Sequence, residues 1–452
     1  MNPEPTAAGR TRTACKPSLD PTGLPASYKW WVIFMLWFVC FFNYADRQAI
    51  SSVLPLLARD FGFDRVQLGL IGSAFAWVYA AGAPLAGLAA DRMPRKQLLM
   101  VACVVWSVFT LATASCDHLS MFVAVRALTG LGETFYFPAA MALISDYHSV
   151  GSRSRAMSWH QSAVYAGTIL GSWMAAVLAE RFGWRVPFYL FGPIGIALAL
   201  LLSRYLREPE RGASEGLALA AVRQEPDADP PLSVAATFKL ILRTPVALLL
   251  MGGFLCANFV AVIFLTWTPT FLVDKFHYAI GAAGLTGTVY IHLASAVTVP
   301  FAGWLADCLV RRWRFGRMLV QTLGLLIGAG FVFLVGQTGS ATTLVVAMTC
   351  FGVCKGFYDS GIFASLYDVI EPRARGTAAG LINTIGWAGG ALGPLFVGFA
   401  CKYGGKPTQV QNMSDAIAFG AVFYLLAAGF LVAALLLFRQ PKARHSACSS
   451  TH

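Results

Sequence analysis

The chain has 452 residues, of which 57% are hydrophobic and 12% are charged. A soluble domain rarely exceeds about half apolar residues and usually carries about a quarter charged ones, so this composition excludes a soluble globule and indicates a membrane protein. The formal net charge is +12. The basic residues are scattered over many short polar segments rather than gathered on one soluble domain, which argues against nucleic-acid binding.

The first 29 residues are polar, contain prolines and lack the apolar core of a cleavable signal, so we predict a disordered cytoplasmic arm at 1–29. A helix that crosses a bilayer needs about 20 apolar residues. The stretches of this kind are predicted as twelve transmembrane spans, numbered 1 to 12 in chain order: 30–57, 66–90, 97–115, 119–144, 157–180, 186–205, 245–272, 281–305, 317–337, 341–367, 377–400 and 414–438.

One long polar segment divides these spans into two groups of six. We predict an N-terminal six-helix bundle at 30–205, a cytoplasmic linker at 206–244, a C-terminal six-helix bundle at 245–438 and a cytoplasmic tail at 439–452. The side of the two termini carries 24 Lys and Arg residues in its loops, and the opposite side carries 7. Excess positive charge stays in the cytoplasm, so we expect both termini inside, in a multi-pass protein of a bacterial inner (plasma) membrane.

The two groups of spans repeat each other. Gly-Leu-Ala-Ala-Asp-Arg-Met-Pro-Arg-Lys at 87–96 returns as Gly-Trp-Leu-Ala-Asp-Cys-Leu-Val-Arg-Arg at 303–312, 216 residues later. Further pairs fall at nearly the same spacing: Asn43 with Asn258, Glu133 with Lys355, and Tyr136 with Tyr358. Duplicated halves in a membrane protein place a substrate site at their interface near the bilayer midplane, which is the architecture of a carrier.

Six charged residues are predicted to lie deep inside spans, away from their ends. They are Arg47, Arg126, Lys355, Asp46, Glu133 and Asp359. A charge at this depth costs at least about 2.5 kcal/mol, so its first interpretation is functional. The alternative is that the charges cancel in structural ion pairs. It is strongest for Lys355 and Asp359, which are four residues apart on one helix and can pair directly.

The charges of span 1 have no counterpart in the second half. Asn-Tyr-Ala-Asp-Arg at 43–47 aligns with Asn-Phe-Val-Ala-Val at 258–262. Residues that serve only the scaffold should recur in both halves of the repeat, whereas functional residues need not. We therefore interpret the N-terminal half as the half that handles protons. Asp46 and Arg47 are neighbours on a helix and point about 100° apart, so they cannot neutralise each other face to face.

Five motifs carry a resemblance to a known family. They are Asn-Tyr-Ala-Asp-Arg at 43–47, Ser-Ala-Phe-Ala-Trp-Val-Tyr at 73–79, the loop at 87–96, Arg-Ala-Leu-Thr-Gly-Leu-Gly-Glu at 126–133 and Thr-Trp-Thr-Pro-Thr-Phe-Leu at 266–272. The loop resembles that of the major facilitator superfamily. The other four resemble its anion:cation symporter branch, whose bacterial members include proton-coupled sugar-acid transporters. The resemblance implies an all-α membrane protein with twelve transmembrane helices in two pseudo-symmetric six-helix bundles around a cavity with alternating access.

The resemblance also implies a set of substrate ligands. Arg47 and Arg126 would bind a carboxylate, with Tyr44 and Tyr79 as hydroxyl partners, and Asn383 would be a further polar contact. The chemistry agrees with these roles, because a guanidinium offers a rigid fork to a carboxylate and keeps its proton. A single Asn in a span is equally consistent with a hydrogen bond between helices.

The resemblance makes Asp46 and Glu133 the protonatable pair. Burial in a membrane cavity disfavours a charged carboxylate, which allows such a group to take up a proton. Lys355 departs from the pattern of the branch. With Tyr358 and Asp359 it predicts a cavity contact special to this protein, where a third cation accepts a second anionic group.

Four charged residues at the cytoplasmic ends of helices are predicted to gate the cavity. Asp91 with Arg92, and Asp307 with Arg311, would latch helix ends. The ten cysteines are scattered singly, without the spacing of a metal site or a disulfide framework. We predict no metal or other cofactor.

The sequence therefore predicts a transporter rather than an enzyme. The predicted function is proton-coupled symport of a small carboxylate-bearing organic anion, such as a sugar acid, by a monomer in the lipid bilayer, with no nucleic-acid partner. An alternative remains open, because Glu-Thr-Phe-Tyr at 133–136 also resembles the spinster-like branch of the superfamily. That alternative is an exporter of lipid-like or drug-like amphiphiles, spinster-like or an antiporter.

Overall fold

The computed structural model describes residues 27–209, 239–371 and 374–439, and the regular elements of that part are helices without a strand. In chain order the helices are α1 Tyr28–Phe61, α2 Arg65–Arg92, α3 Arg95–Thr113, α4 Leu119–Thr134, α5 Tyr136–Tyr147, α6 Val150–Phe182, α7 Val186–Tyr205, α8 Pro245–Phe276, α9 Ile280–Arg312, α10 Gly316–Gln337, α11 Ala341–Asp359, α12 Ile362–Val369, α13 Arg375–Tyr403 and α14 Gln409–Arg439.

Eleven helical segments of the described chain are long and apolar enough to cross a bilayer. They coincide with predicted spans 2 to 12. The helix of span 1, α1, has 34 residues and so has the length to cross, but its middle carries Asp46 and Arg47. Large apolar side chains are exposed on many outer faces, for example Leu85 at 61% and Val297 at 71%. Such surfaces fit contact with lipid rather than water.

Spans 4 and 10 are each divided into two helices. Span 4 breaks at Phe135, between α4 and α5. Pro138 lies just beyond this break, where it cannot donate to the carbonyl of Thr134 and its ring clashes with that group, so the helix is interrupted. Span 10 breaks at Ser360 and Gly361, directly after Asp359. In both halves the break thus follows the charged segment singled out from the sequence.

The two groups of helices pack against each other through α2 with α13, α6 with α9, and α1 with α8. Glycines permit the closest approaches. A Cβ atom on Gly69 would lie 2.6 Å from the carbonyl oxygen of Pro394, and one on Gly284 would lie 2.5 Å from Cβ of Ala176. These distances are below van der Waals contact, so any larger residue at Gly69 or Gly284 forces the two halves apart.

Ion pairs join the halves at the end of the molecule opposite to Tyr28 and Arg439, which we call the closed end. Arg65 donates to Asp274 across 2.7 Å, and Lys402 donates to Asp64 across 2.6 Å. Asp64 also caps α2 in a reciprocal capping box with Gln67. Burial opposes the charge of Asp64, but the hydrogen bonds from Lys402 and the Gln67 backbone outweigh it and lower the pKa of Asp64. These pairs hold the two halves together at this end.

The structure shows more helix than the apolar runs predict. For example, α6 begins at Val150, seven residues before predicted span 5, because apolar length measures the lipid core whereas a helix continues into the polar border. The predicted arm, most of the linker and the tail lie outside the described residues, so the predicted domain boundaries stay predictions.

Candidate functional site

A cavity lies between the two groups of helices and encloses about 960 Å³ of empty space, including solvent at its mouth. Helices of both halves contribute its walls. From the first half it is lined by Tyr44, Arg47, Gln48, Gln161, Val164, Tyr165 and Thr168, and from the second by Asn258, Ala261, Val262, Phe264, Leu265, Gly287, Ile291, His292, Phe351, Lys355, Asp359 and Trp387. Three charged residues, Arg47, Lys355 and Asp359, are among them, so the lining carries more positive than negative charge.

Arg47 of α1 is held by Glu133 at the end of α4. Its Nε and Nη2 atoms donate to the same carboxylate oxygen, Oε2, across 3.0 and 2.7 Å. The other oxygen, Oε1, is buried without a hydrogen-bond partner among the described residues. The Glu133 side chain is fully shielded, whereas 9% of the Arg47 side chain is exposed. Arg47 therefore faces the cavity and Glu133 lies behind it.

Aromatic rings surround the Arg47 guanidinium. Its carbon atom lies 4.5 Å from the ring centroid of Tyr44, 4.7 Å from Phe75, 5.2 Å from Tyr79 and 5.2 Å from Trp387. At these distances each ring face attracts the cation, by about 0.5–2 kcal/mol per contact. Trp387 belongs to α13, so the second half of the molecule helps to hold the cation of the first. Tyr44 and Tyr79 thus lie beside Arg47 through their rings, and their role as hydroxyl partners of a carboxylate stays a prediction.

Arg126 of α4 is buried close to this cluster. Its guanidinium carbon lies 5.0 Å from the centroid of Phe75, the ring that also contacts Arg47. The Nε atom of Arg126 is fully buried and has no hydrogen-bond acceptor among the described residues. Arg126 is not part of the cavity wall in this conformation. A buried donor without an acceptor is costly, which is typical of a group that waits for a ligand.

Asp46 faces away from the cavity. Thr110 of α3 donates to its Oδ2 atom across 3.3 Å, and its Oδ1 atom is buried without a partner among the described residues. The adjacent Arg47 points to Glu133 instead, as the angular offset of neighbouring helix residues requires. The structure thus separates the two predicted protonatable acids. Glu133 contacts the cavity cation, and Asp46 packs between α1 and α3.

Lys355 and Asp359 of α11 form an ion pair on the opposite wall. Their side chains are 17% and 31% exposed, so this pair is more open to the cavity than the Arg47–Glu133 pair. His292 of α9 and Tyr165 of α6 lie close to it, with ring centroids 6.4 Å apart. No group of three His, Cys, Asp or Glu residues in the described chain is arranged to hold a metal ion.

Two further predicted ligands do not line the cavity. Tyr358 is 1% exposed and its backbone oxygen accepts a hydrogen bond from Gln321 of α10. It lies about 100° around α11 from Asp359, on the side of the helix that packs inside the second half. Asn383 lies on α13 one turn before Trp387 and is half-buried.

The predicted gate residues are arranged differently from expectation. Asp307 pairs with Arg317, whose Nη2 atom is 2.8 Å from Oδ1, rather than with Arg311. Arg317 also pairs with Asp368 across 2.8 Å. The reason is that Arg317 follows the turn after α9 and can reach back, whereas Arg311 is exposed. Arg92 is exposed at the end of α2, and the side chain of Asp91 lies outside the described residues.

A family model described as Major Facilitator Superfamily matches residues 36–307 and again residues 272–451. The chain belongs to this superfamily. It is a multi-pass membrane transporter rather than an enzyme, as the sequence predicts. The fold agrees. A bacterial homologue of the human lysosomal transporter Spinster, in an inward-facing and unoccupied conformation, superposes with a TM-score of 0.78, and the match covers 92% of this chain and 99% of that one at 21% identity. The predicted fold class is therefore confirmed.

Relatives of this facilitator include carriers of organic and inorganic anions. The probable galactarate/D-glucarate transporter of Bacillus subtilis is 28% identical, and the match covers 91% of this chain and 94% of the relative. The chloroplastic sodium-dependent phosphate transport protein 1 of Arabidopsis thaliana is 30% identical, with 83% and 74% covered.

Sequence reasoning missed several residues around the cavity of this facilitator. Phe75 contacts both guanidinium groups, and Gln48 and Gln161 line the wall. A signal for the two glutamines exists, because an amide inside an apolar helix needs a partner or water. Phe75 gives no such signal, since an aromatic residue in a membrane helix is ordinary.

Proposed function

We propose that this facilitator carries a carboxylate-bearing organic anion, such as a sugar acid, together with protons by alternating access. The observation that carries the proposal is the position of the Arg47–Glu133 pair. The cation lines the cavity while its acid partner lies behind it, bonded through one oxygen across 2.7 Å.

This pair couples substrate to protons by competition. Glu133 occupies the N–H group of Nε and one N–H group of Nη2, and a substrate carboxylate on the remaining N–H groups would share the charge of the same guanidinium with it. A proton on Glu133 weakens its hold, because a neutral acid attracts a guanidinium far less than a carboxylate does. Substrate binding and proton loading therefore favour each other. Arg126, which contacts the same Phe75 ring and whose Nε atom has no acceptor among the described residues, is the second carboxylate ligand once the cluster opens.

The remaining wall suits a hydroxylated substrate. Gln48, Gln161 and Asn258 offer amide donors and acceptors, and Tyr44 and Tyr165 offer hydroxyls. Hydroxyl groups of a sugar acid find partners for both their donors and their acceptors among such side chains. The relative named for galactarate and D-glucarate supports this class.

The membrane potential favours more than one proton for each monoanion. One charge that crosses 100 mV is worth about 2.3 kcal/mol, so a monoanion moving inward alone is opposed by that amount. One proton makes transport neutral, and two make the field a driving force. Asp46 and Glu133, both buried in predicted spans of the first half, are the two acids that we assign to this role.

We further propose a bacterial inner-membrane location with both termini in the cytoplasm. The excess of basic residues on the side of the termini supports this orientation. The closed end, with its Arg65–Asp274 and Asp64–Lys402 pairs, is then periplasmic. The described conformation is the one in which the periplasmic path is sealed, and the protein acts as a monomer.

Uptake by the purified protein in proteoliposomes tests the proposal. Labelled galactarate or galactonate should accumulate when the outside is acidic, and a protonophore should abolish accumulation. Liposomes with the Arg47→Gln variant are the matched control and should take up neither. Accumulation that ignores the proton gradient would refute coupling. Efflux of a lysolipid in place of sugar-acid uptake would favour the exporter alternative.

A further inference from the structure

Two ion pairs from opposite halves face the same cavity. Arg47 of α1 is paired with Glu133, and Lys355 of α11 is paired with Asp359. Lys355 also occupies the position that matches Glu133 in the sequence repeat. The function proposed above uses only the pair of the first half, so the second pair has no role in it.

The Lys355 ammonium has unused hydrogen-bonding capacity toward the cavity. An ammonium carries three donors, and the acceptor that the described residues supply to it is one oxygen of Asp359. The side chain is 17% exposed, and that of Asp359 is 31% exposed, both within the cavity lining. A pair four residues apart on one helix and in contact with water is weak. A ligand anion can therefore bind beside Asp359 or replace it.

The neighbours of Lys355 favour an anion over a cation. Asp359 could attract an ammonium group, but Lys355 already satisfies it and repels a second cation. His292 and Tyr165 add hydrogen-bonding groups from two other helices packed around this wall. A neutral imidazole and a neutral phenol bring no negative charge that would repel an anion. A substrate with a single carboxylate would place it on Arg47 and would have no second anionic group for Lys355.

We propose that the preferred substrate is a hydroxylated dicarboxylate, with one carboxylate on Arg47 and the other on Lys355. This inference rests on the proposed function and adds its substrate class. The molecule bridges the two halves, and its hydroxyl groups meet the amides of Gln48 and Gln161, which line the same cavity as the two cations. Because each half binds one end, a dicarboxylate draws the halves together in a way that a monocarboxylate does not.

Equilibrium binding to the purified full-length protein tests this inference with a matched pair of probes. Galactarate and galactonate have the same hydroxylated chain and differ in whether the sixth carbon is a carboxylate or a hydroxymethyl group. The measured quantity is the ratio of their dissociation constants. For the wild type, galactarate should bind at least about tenfold more tightly, a difference of about 1.4 kcal/mol.

Variants of the Lys355–Asp359 pair test whether Lys355 causes the preference for galactarate over galactonate. Lys355→Gln should reduce the ratio to about twofold or less, and Lys355→Arg should restore it, because the charge alone is needed. Asp359→Asn removes the competing acid and keeps the cation, so the ratio should stay the same or rise. This set separates a ligand role from a purely structural pair, which either substitution would break equally.

Each outcome has a definite meaning. Equal binding of the two probes to the wild type, or a preference that survives in Lys355→Gln, overturns the dicarboxylate inference and leaves the proposed function standing. Failure of both probes to bind overturns the proposed sugar-acid function and this inference with it. A galactarate preference lost in Lys355→Gln and regained in Lys355→Arg supports both.

Discussion

Glu133 holds Arg47 through one carboxylate oxygen, with Nη2 at 2.7 Å and Nε at 3.0 Å, while its second oxygen has no partner among the described residues. A fully formed fork would use both oxygens and would be harder to open. The half-formed contact joins spans 1 and 4 at the cavity wall. It is the arrangement expected of a pair that separates during each transport cycle.

Arg47→Lys tests whether the paired N–H donors of the guanidinium are needed. Lysine keeps the charge but lacks the planar pair of donors, so it cannot hydrogen-bond Glu133 and a substrate carboxylate as the guanidinium does. A lost charge-assisted hydrogen bond is worth about 1.5–3 kcal/mol, so affinity for the substrate should fall roughly tenfold to hundredfold. Isothermal titration on purified protein measures this. Arg59→Lys is the matched control, since the Arg59 side chain is 74% exposed and its ion pair within the described residues is with its neighbour Asp60.

Arg126→Met tests whether this buried cation is kept for function at the expense of stability. The residue is 5% exposed and its Nε atom is buried without an acceptor among the described residues, so an apolar side chain of similar length should leave the melting temperature unchanged or raise it by a few degrees. Substrate binding should be lost. Thermal unfolding in detergent, with and without substrate, measures both effects. A large loss of stability would instead make Arg126 a structural residue.

Gly69→Ala tests the packing that seals the closed end. The added methyl group would lie 2.6 Å from the Pro394 carbonyl oxygen, so α2 and α13 must separate. Spin labels at Asp117 and Gly339, on a background without the native cysteines, should report a longer distance between the halves at this end. Gly303→Ala is the control, because nothing lies within 4 Å of its added carbon. An unchanged distance distribution would show that this contact does not hold the halves.

The sequence predicts the helices well because lipid requires one simple property, a long apolar run, which can be read locally. Because charge is rare at this depth, it also singles out the three charged residues that line the cavity, Arg47, Lys355 and Asp359. It cannot give their partners. Arg47 and Glu133 are 86 residues apart, and no local pattern says which of Asp46 and Arg47 faces the cavity.

Helical geometry alone leaves the position of Tyr358 open. Lys355, Tyr358 and Asp359 are at positions i, i+3 and i+4, which lie on one face of a helix, and only the packing of α11 shows that Tyr358 is buried inside the second half. The partner of Asp307 was beyond such reasoning. Arg317 lies past the end of α9, and only the path of the turn brings it within 2.8 Å.

In the proposed mechanism the Glu133 carboxylate competes with the substrate carboxylate for the charge of Arg47. Protonation of Glu133 relieves this competition. The Glu133→Gln variant removes the charge and keeps the shape, and transport in proteoliposomes under two regimes measures the result. Exchange of labelled for unlabelled substrate without a gradient should persist, because Arg47 is now free, and accumulation driven by a proton gradient should be lost. Gradient-driven accumulation that continues at the wild-type level in Glu133→Gln would contradict the account.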